Sequence, residues 1–144
     1  MFLKRKSEKI ETLRKVPMFS ELSERAVGQI ASVASERTRK RGAVLAEEGA
    51  PGLEMFVLLE GKAQVERGGQ PLARLGAGAC FGEMSLIDYE PRSASVVAAT
   101  DVTLLVIHTR AFQRLMKEPA LANAVLRVLS RRLRAASAAL AKVN

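Results

Sequence analysis

One cysteine, one histidine and no long apolar run set the first limits on this chain of 144 residues. Cys80 has no second cysteine to bridge to, so an intramolecular disulfide is excluded and a reducing cytoplasm is the expected compartment. Its expected role is that of a small buried apolar residue, because a reactive thiol needs a cationic neighbour that nothing local supplies. His108 stands alone as well, which excludes a His-rich metal cluster and any Ser-His-Asp triad built on another histidine. No apolar stretch approaches the roughly 18 to 20 residues that span a bilayer, so no membrane span is expected. The opening Met1-Phe2-Leu3-Lys4-Arg5-Lys6 lacks the apolar core of a signal peptide.

What is present is a globular composition with an excess of cations: 48% hydrophobic residues, 23 Lys and Arg against 15 Asp and Glu, and a formal net charge of +8. Such a charge raises the question of nucleic acid or an anionic surface. The cations are scattered, however, into Lys4, Arg5, Lys6 and Lys9, then Arg37, Arg39, Lys40 and Arg41, then Arg127, Arg131, Arg132 and Arg134. Each group reads as a solvated face. The length suits one domain over residues 1–144, divided into N-terminal helices (1–35), a β-roll (36–108) and C-terminal helices (109–144).

Periodicity supports that division. Ile10, Leu13 and Val16 recur at helical spacing in a segment from Ser7 to Val16 that Pro17 ends. A second helix, capped by Ser20 or Ser23, shows Leu22, Ala26, Ile30 and Val33 on one face before charges and a glycine at residues 36–42 lead into strands. From Val44 to Ile107 short strands alternate with Gly and Pro punctuation, the pattern of an all-β sandwich or barrel. Met55 to Glu60 and Ala63 to Val65 around Gly61 read as a hairpin, and Gly68-Gly69 as the next tight turn before Leu72 to Leu75. Ala94 to Ala98 and Val102 to Ile107 read as two further strands, with Thr100-Asp101 between them. Thr109 then caps a helix carrying Phe112, Leu115 and Met116, and Pro119 opens a last one. On that helix Ala122, Leu126, Leu129, Leu133, Ala136 and Leu140 form a stripe expected to cover the core, beside a row of Leu121, Val125, Val128 and Arg132.

The chemistry concentrates in residues 81–96, Phe-Gly-Glu-Met-Ser-Leu-Ile-Asp-Tyr-Glu-Pro-Arg-Ser-Ala-Ser-Val. Gly82 lets the backbone approach a ligand, and the N–H groups of Met84 and Ser85 open a short helix toward negative charge. Arg92 offers a bidentate fork for phosphate oxygens, and the Ser93 hydroxyl one more contact. Glu83 beside a phosphate is repulsive unless it accepts a hydroxyl's proton. A ligand holding a phosphodiester next to a free ribose hydroxyl, as a cyclic nucleotide does, would satisfy Glu83 and Arg92 together. Leu86 and Ile87 read as core, while Asp88 and Tyr89 read as loop residues without ligand contact.

These residues resemble the phosphate-binding cassette of the cyclic nucleotide-binding domain family, which reads F-G-E, a short variable stretch, then P-R-(A/S/T)-A-(T/S)-V. Arg14-Lys15-Val16-Pro17-Met18-Phe19 and Val57-Leu58-Leu59-Glu60-Gly61 extend the resemblance over nearly the whole chain. It implies an eight-stranded β-roll, or jelly roll, with flanking N-terminal helices and a C-terminal lid helix that closes over the base. It implies Gly82, Glu83, Met84, Ser85, Arg92, Ser93 and Ala94 as ligand-binding residues, with Arg132 stacked on the purine. The expected ligand is cyclic AMP, with cyclic GMP as the alternative, and no cofactor or metal is expected.

Rival functions are weaker on the residues. A cupin-like metal enzyme needs more ligands than His108, and Glu83 with Asp88 has no evident nucleophile, so no enzyme is expected. A DNA-reading regulator would carry a recognition helix after the last helix, and none precedes Asn144, so sequence-specific nucleic-acid binding is not expected. A nucleotide-free scaffold domain would be expected to lose Glu83 or Arg92, and both stand. The expectation is therefore a cytoplasmic sensor whose output passes to an effector protein or to a homodimer formed through the last helix.

Overall fold

The computed structural model describes residues 5–143, with side chains described to residue 141. Lys4 of the first basic group and the terminal Asn144 lie outside the described residues. Helices α1 (Lys6–Leu13) and α2 (Glu24–Ala31) lead into strands β1 (Ala34–Arg39), β2 (Val44–Ala46), β3 (Glu54–Glu60), β4 (Ala63–Arg67), β5 (Gln70–Leu75) and β6 (Cys80–Phe81). A single-turn helix α3 (Ser85–Asp88) precedes β7 (Ser95–Ala98) and β8 (Val102–His108), and α4 (Thr109–Leu115) and α5 (Pro119–Val143) complete the chain. The eight strands form two antiparallel four-stranded sheets, in the orders β1-β8-β3-β6 and β2-β7-β4-β5.

Strands β3 and β8 lie in the middle of the first sheet and are buried on both faces, which divides the apolar residues into two cores. Met55, Val57, Leu105 and Ile107 face the helices, meeting Leu13, Ile30, Phe112 and Val125. Phe56, Leu58, Leu104 and Val106 face the second sheet, meeting Ala63, Val96 and Ala98. A near-continuous apolar run is what such a doubly covered strand requires.

Several elements depart from the sequence expectations. Strand β1 starts at Ala34, ahead of the expected roll, because its Ala-Ser-Glu-Arg-Thr-Arg sequence is too polar to announce a strand and is held by β8 along its whole length. Helix α1 stops at Leu13, and Val16 is buried in the turn that follows instead of on the helix. Strands β3 and β4 are not a hairpin: β3 pairs with β6 and β8, whereas β4 pairs with β5 and β7. Gly61 carries the chain from one sheet to the other at φ 92°, and a Cβ there would lie 2.3 Å from the Asp101 carbonyl oxygen. The Gly68-Gly69 turn does join a hairpin, with Arg67 paired to Gln70. The cap of α4 is His108, not Thr109: its Nδ1 accepts the Arg110 N–H at 3.1 Å, while the buried Thr109 hydroxyl donates to the Leu53 carbonyl. Ser23 is the α2 cap, accepting from the Ala26 N–H at 3.1 Å.

Helix α5 also turns a different face inward. Leu121, Val125 and Val128, the neighbouring row, are 1–2% exposed, whereas Leu126, Leu133 and Leu140 of the expected core stripe are 60%, 68% and 68% exposed. The two rows lie side by side on the helix, and the core takes the one carrying the β-branched residues. From Ser130 to Ala141 every described residue is exposed; Arg131 still pairs with Glu21 at 3.1 Å, and beyond it the helix runs past the body of the roll.

Candidate functional site

Strand β6 delivers the chain into the cassette, where Gly82 adopts φ 77°. That conformation is demanded by what lies beside it: a Cβ at this position would stand 2.2 Å from Arg92 Nη1 and 2.9 Å from the Glu54 carbonyl oxygen. Met84 caps a turn in which Ser85 N–H donates to the Gly82 carbonyl at 3.0 Å and Leu86 N–H to the Glu83 carbonyl at 3.2 Å. Ser85 N–H is thus engaged inside the turn. The cassette helix is anchored from behind by Leu86, fully buried, and by Gln113 Nε2, which donates to the Leu86 carbonyl at 2.7 Å. Ile87 packs against the same core, and Tyr89 ends the turn in the left-handed region at φ 56°.

Arg92 is placed by its backbone and by its fork. Its N–H donates to the Ala50 carbonyl and its carbonyl accepts from the Gly49 N–H, both at 2.8 Å, beside a bridge between Pro51 and Pro91. Its guanidinium reaches inward, donating through Nη2 to the Glu54 carbonyl and through Nη1 to the Ser85 hydroxyl at 3.2 Å. The cation lies 6.0 Å from the centroid of Phe56, which stacks on Phe81 at 4.8 Å. Burial pushes the guanidinium's pKa below its ordinary value, and Glu54 opposes that shift. A half-buried cation whose direct partners are neutral oxygens is a strong attractor for an anion.

Glu83 shares the cleft with Arg92, and its Oε2 is buried without a hydrogen-bond partner among the described residues. Leaving an acceptor so placed costs about 1–3 kcal/mol, which a hydroxyl donor would remove. The cleft encloses about 530 Å³, within the range for small-molecule sites, and Gly82, Glu83, Met84, Ser85, Arg92, Ser93 and Ala94 all line it. Ser93 is exposed, and its carbonyl accepts from Arg67 Nε at 3.0 Å, which ties β4 to the cassette. Cys80 lines the same cleft half-buried, not fully buried as expected, and burial foremost pushes its thiol up, with the Glu83 charge adding to the effect.

Arg132 stands apart. It is exposed on the free part of α5 and does not line the cleft, although its charge acts on Cys80 in the opposite sense to Glu83. Two residues near the cleft carry no local signal in the sequence. Arg37, taken as part of a solvated basic group, donates to both carboxylate oxygens of Glu54 at 3.1 and 2.6 Å, and both groups are only partly exposed. Nothing local in the sequence signals this pair, because it forms across β8.

This arrangement, an arginine fork and a carboxylate oxygen without a partner among the described residues on one loop inserted between strands of a roll, agrees with the match to the "Cyclic nucleotide-binding domain" family over residues 36–119. The chain belongs to the cyclic nucleotide-binding domain family. Among its relatives is a cyclic nucleotide-gated potassium channel of Mesorhizobium japonicum, 44% identical over 100 residues that cover 69% of this chain and 28% of that protein. A cyclic AMP receptor protein of Thermus thermophilus is 36% identical over 126 residues, 83% of this chain and 58% of that protein. The fold matches the N-terminal domain of a transcriptional regulator from Streptomyces coelicolor A3(2) with a TM-score of 0.80 and 35% identity, covering 90% of this chain and 94% of that one. The chain therefore spans little more than a quarter of the channel it resembles. Among the described residues no helix is long and apolar enough to cross a membrane.

Proposed function

We propose that this chain is a cyclic AMP sensor module that holds the cyclic phosphate on Arg92 and the ribose 2'-hydroxyl on Glu83. The observation that carries the reading is the buried Glu83 Oε2, an acceptor without a partner in the same cleft as a half-buried arginine. A free inorganic anion would answer Arg92 alone and leave Glu83 worse off; a ligand joining a phosphodiester to a neighbouring hydroxyl answers both. Gly82, Met84, Ser93 and Ala94 wall the phosphate end, and Ser85 holds the arginine through its hydroxyl. Cyclic AMP is preferred over cyclic GMP because the Thermus relative is a cyclic AMP receptor protein. The reading is of a cytoplasmic binding module and not a catalyst, without sequence-specific contact to nucleic acid.

The output lies in α5. Its free part begins one turn past the last buried contact, Val128, and Arg132 sits on the row that continues from the core-facing side. Closure of this segment over the base would bring Arg132 onto the purine. The exposed Leu126, Leu133 and Leu140 recur every seven residues with Leu129 and Ala136 between them, the spacing of a coiled-coil seam. Arg127, Arg131 and Arg134 fall on the opposite side, so of this basic group Arg132 alone lies beside the seam. Homodimerisation through α5 is thus the favoured route, ahead of a separate effector protein.

Calorimetric titration with cyclic AMP and with cyclic GMP, on the wild type and on Arg92→Leu, tests the site. Removing the fork should weaken cyclic AMP by about 2–5 kcal/mol, more than tenfold. Negligible heats from the wild type with both nucleotides, or an Arg92→Leu variant that binds as the wild type does, would overturn the reading.

A further inference from the structure

The cation that binds phosphate in the reading above has a carboxylate close at hand, and the two are kept apart. Arg92 takes the backbone carbonyl of Glu54, not its side chain, while the Glu54 carboxylate is turned to Arg37 and clamped through both oxygens at 3.1 and 2.6 Å. Arg37 sits on β1 opposite Leu104 of β8, and Glu54 on β3 opposite His108, so the clamp reaches across the intervening strand. Both guanidiniums lie 6.0 Å from the centroid of the same ring, Phe56. One carboxylate therefore has two arginines within its field and is hydrogen-bonded to only one.

We propose that Arg37 is a positioning residue that occupies the Glu54 carboxylate and so leaves the Arg92 fork free for the phosphate of the nucleotide. This rests on the reading that Arg92 binds that phosphate. An Arg92 paired to Glu54 would have to break a charge-assisted, bidentate interaction before taking a ligand. The carboxylate would also remain beside the incoming phosphate, repelling it. With Arg37 in place, Arg92 gives up only neutral partners, the Glu54 carbonyl and the Ser85 hydroxyl. The Glu54 carboxyl is held below the usual carboxylate range first by its hydrogen bonds to Arg37, and the Arg92 charge is the smallest of the named contributions, as this division requires.

The test is a double-mutant cycle read by calorimetric titration with cyclic AMP, with thermal melts confirming that each protein is folded. Arg37→Ala should weaken cyclic AMP about tenfold, the equivalent of one charged hydrogen bond that Arg92 must now release. In the E54Q background the same change should cost less than about twofold, because no carboxylate is left to capture Arg92. Arg37→Lys, which keeps a cation beside Glu54, should recover most of the affinity. Should Arg37→Ala fail to fold, Arg37→Gln carries the same comparison. Wild-type affinity in Arg37→Ala, or a loss of equal size with and without the E54Q change, overturns the assignment while leaving Arg92 as the phosphate residue. A wild type that binds neither cyclic AMP nor cyclic GMP overturns both.

Discussion

Replacing Gly82 with alanine separates the binding role of Arg92 from its contribution to the fold. The new Cβ would stand 2.2 Å from Arg92 Nη1, 3.2 Å from its Cζ and 2.9 Å from the Glu54 carbonyl oxygen, at a backbone φ of 77°. The dihedral alone costs a residue with a side chain about 1–2 kcal/mol. The carbonyl oxygen is backbone in a paired strand and yields little, but the guanidinium ends a flexible side chain and can swing away. The total loss of stability should therefore stay near 1–3 kcal/mol, the scale of a strained backbone site. For a domain of this size that is a fall of roughly 3–10 °C in Tm. Binding should suffer more: with the fork displaced, cyclic AMP affinity should drop by about 2–5 kcal/mol, more than tenfold. Differential scanning calorimetry followed by titration below the transition gives both numbers on one sample. A variant that melts several degrees lower yet binds cyclic AMP as the wild type does would show that the fork beside Gly82 is not where the phosphate is held. A variant unchanged in both would refute the steric argument itself.

Saturating cyclic AMP should slow amide exchange over residues 129–141, measured by hydrogen–deuterium exchange mass spectrometry; identical exchange with and without nucleotide would refute closure of α5. Leu133 and Leu140 are each 68% exposed, so Leu133→Ser with Leu140→Ser should change stability by only about 0.5 kcal/mol per site while converting a dimer to a monomer in sedimentation velocity. A wild type that sediments as a monomer at micromolar concentration, or a variant that remains a dimer, would reject the seam. The hydrogen bonds from Arg37 lower the folded-state pKa of Glu54, so their stabilisation is complete above the ordinary carboxylate value near 4.5 and is lost as the pH falls through the lower folded value. Below pH 4.5 the wild type should thus lose Tm more steeply than Glu54→Gln, and parallel acid profiles would refute that contribution.

What could be read in advance follows the distance along the chain over which each contact is made. Gly82, Glu83 and Arg92 stand within eleven consecutive residues, so their spacing alone brought them to one cleft. The Arg37 clamp depends on β8, some seventy residues downstream of β1, entering between β1 and β3, and no local pattern states that order. The turn at Gly61 illustrates the same limit from the other side. Alternating residues on both flanks of a glycine fit a hairpin and a crossover between sheets equally, and the choice is made by Asp101 and Thr100, which close over the turn from forty residues away. On α5 the periodicity marked two adjacent rows as apolar and pointed to the longer one, whereas the shape of the core takes Leu121, Val125 and Val128 of the other. The groups that would hold the phosphate and ribose are thus contiguous and legible, whereas those that set their charge and freedom come from other strands. Substitutions at Arg37 and Glu54 are for that reason the ones whose effects on affinity a motif comparison would miss.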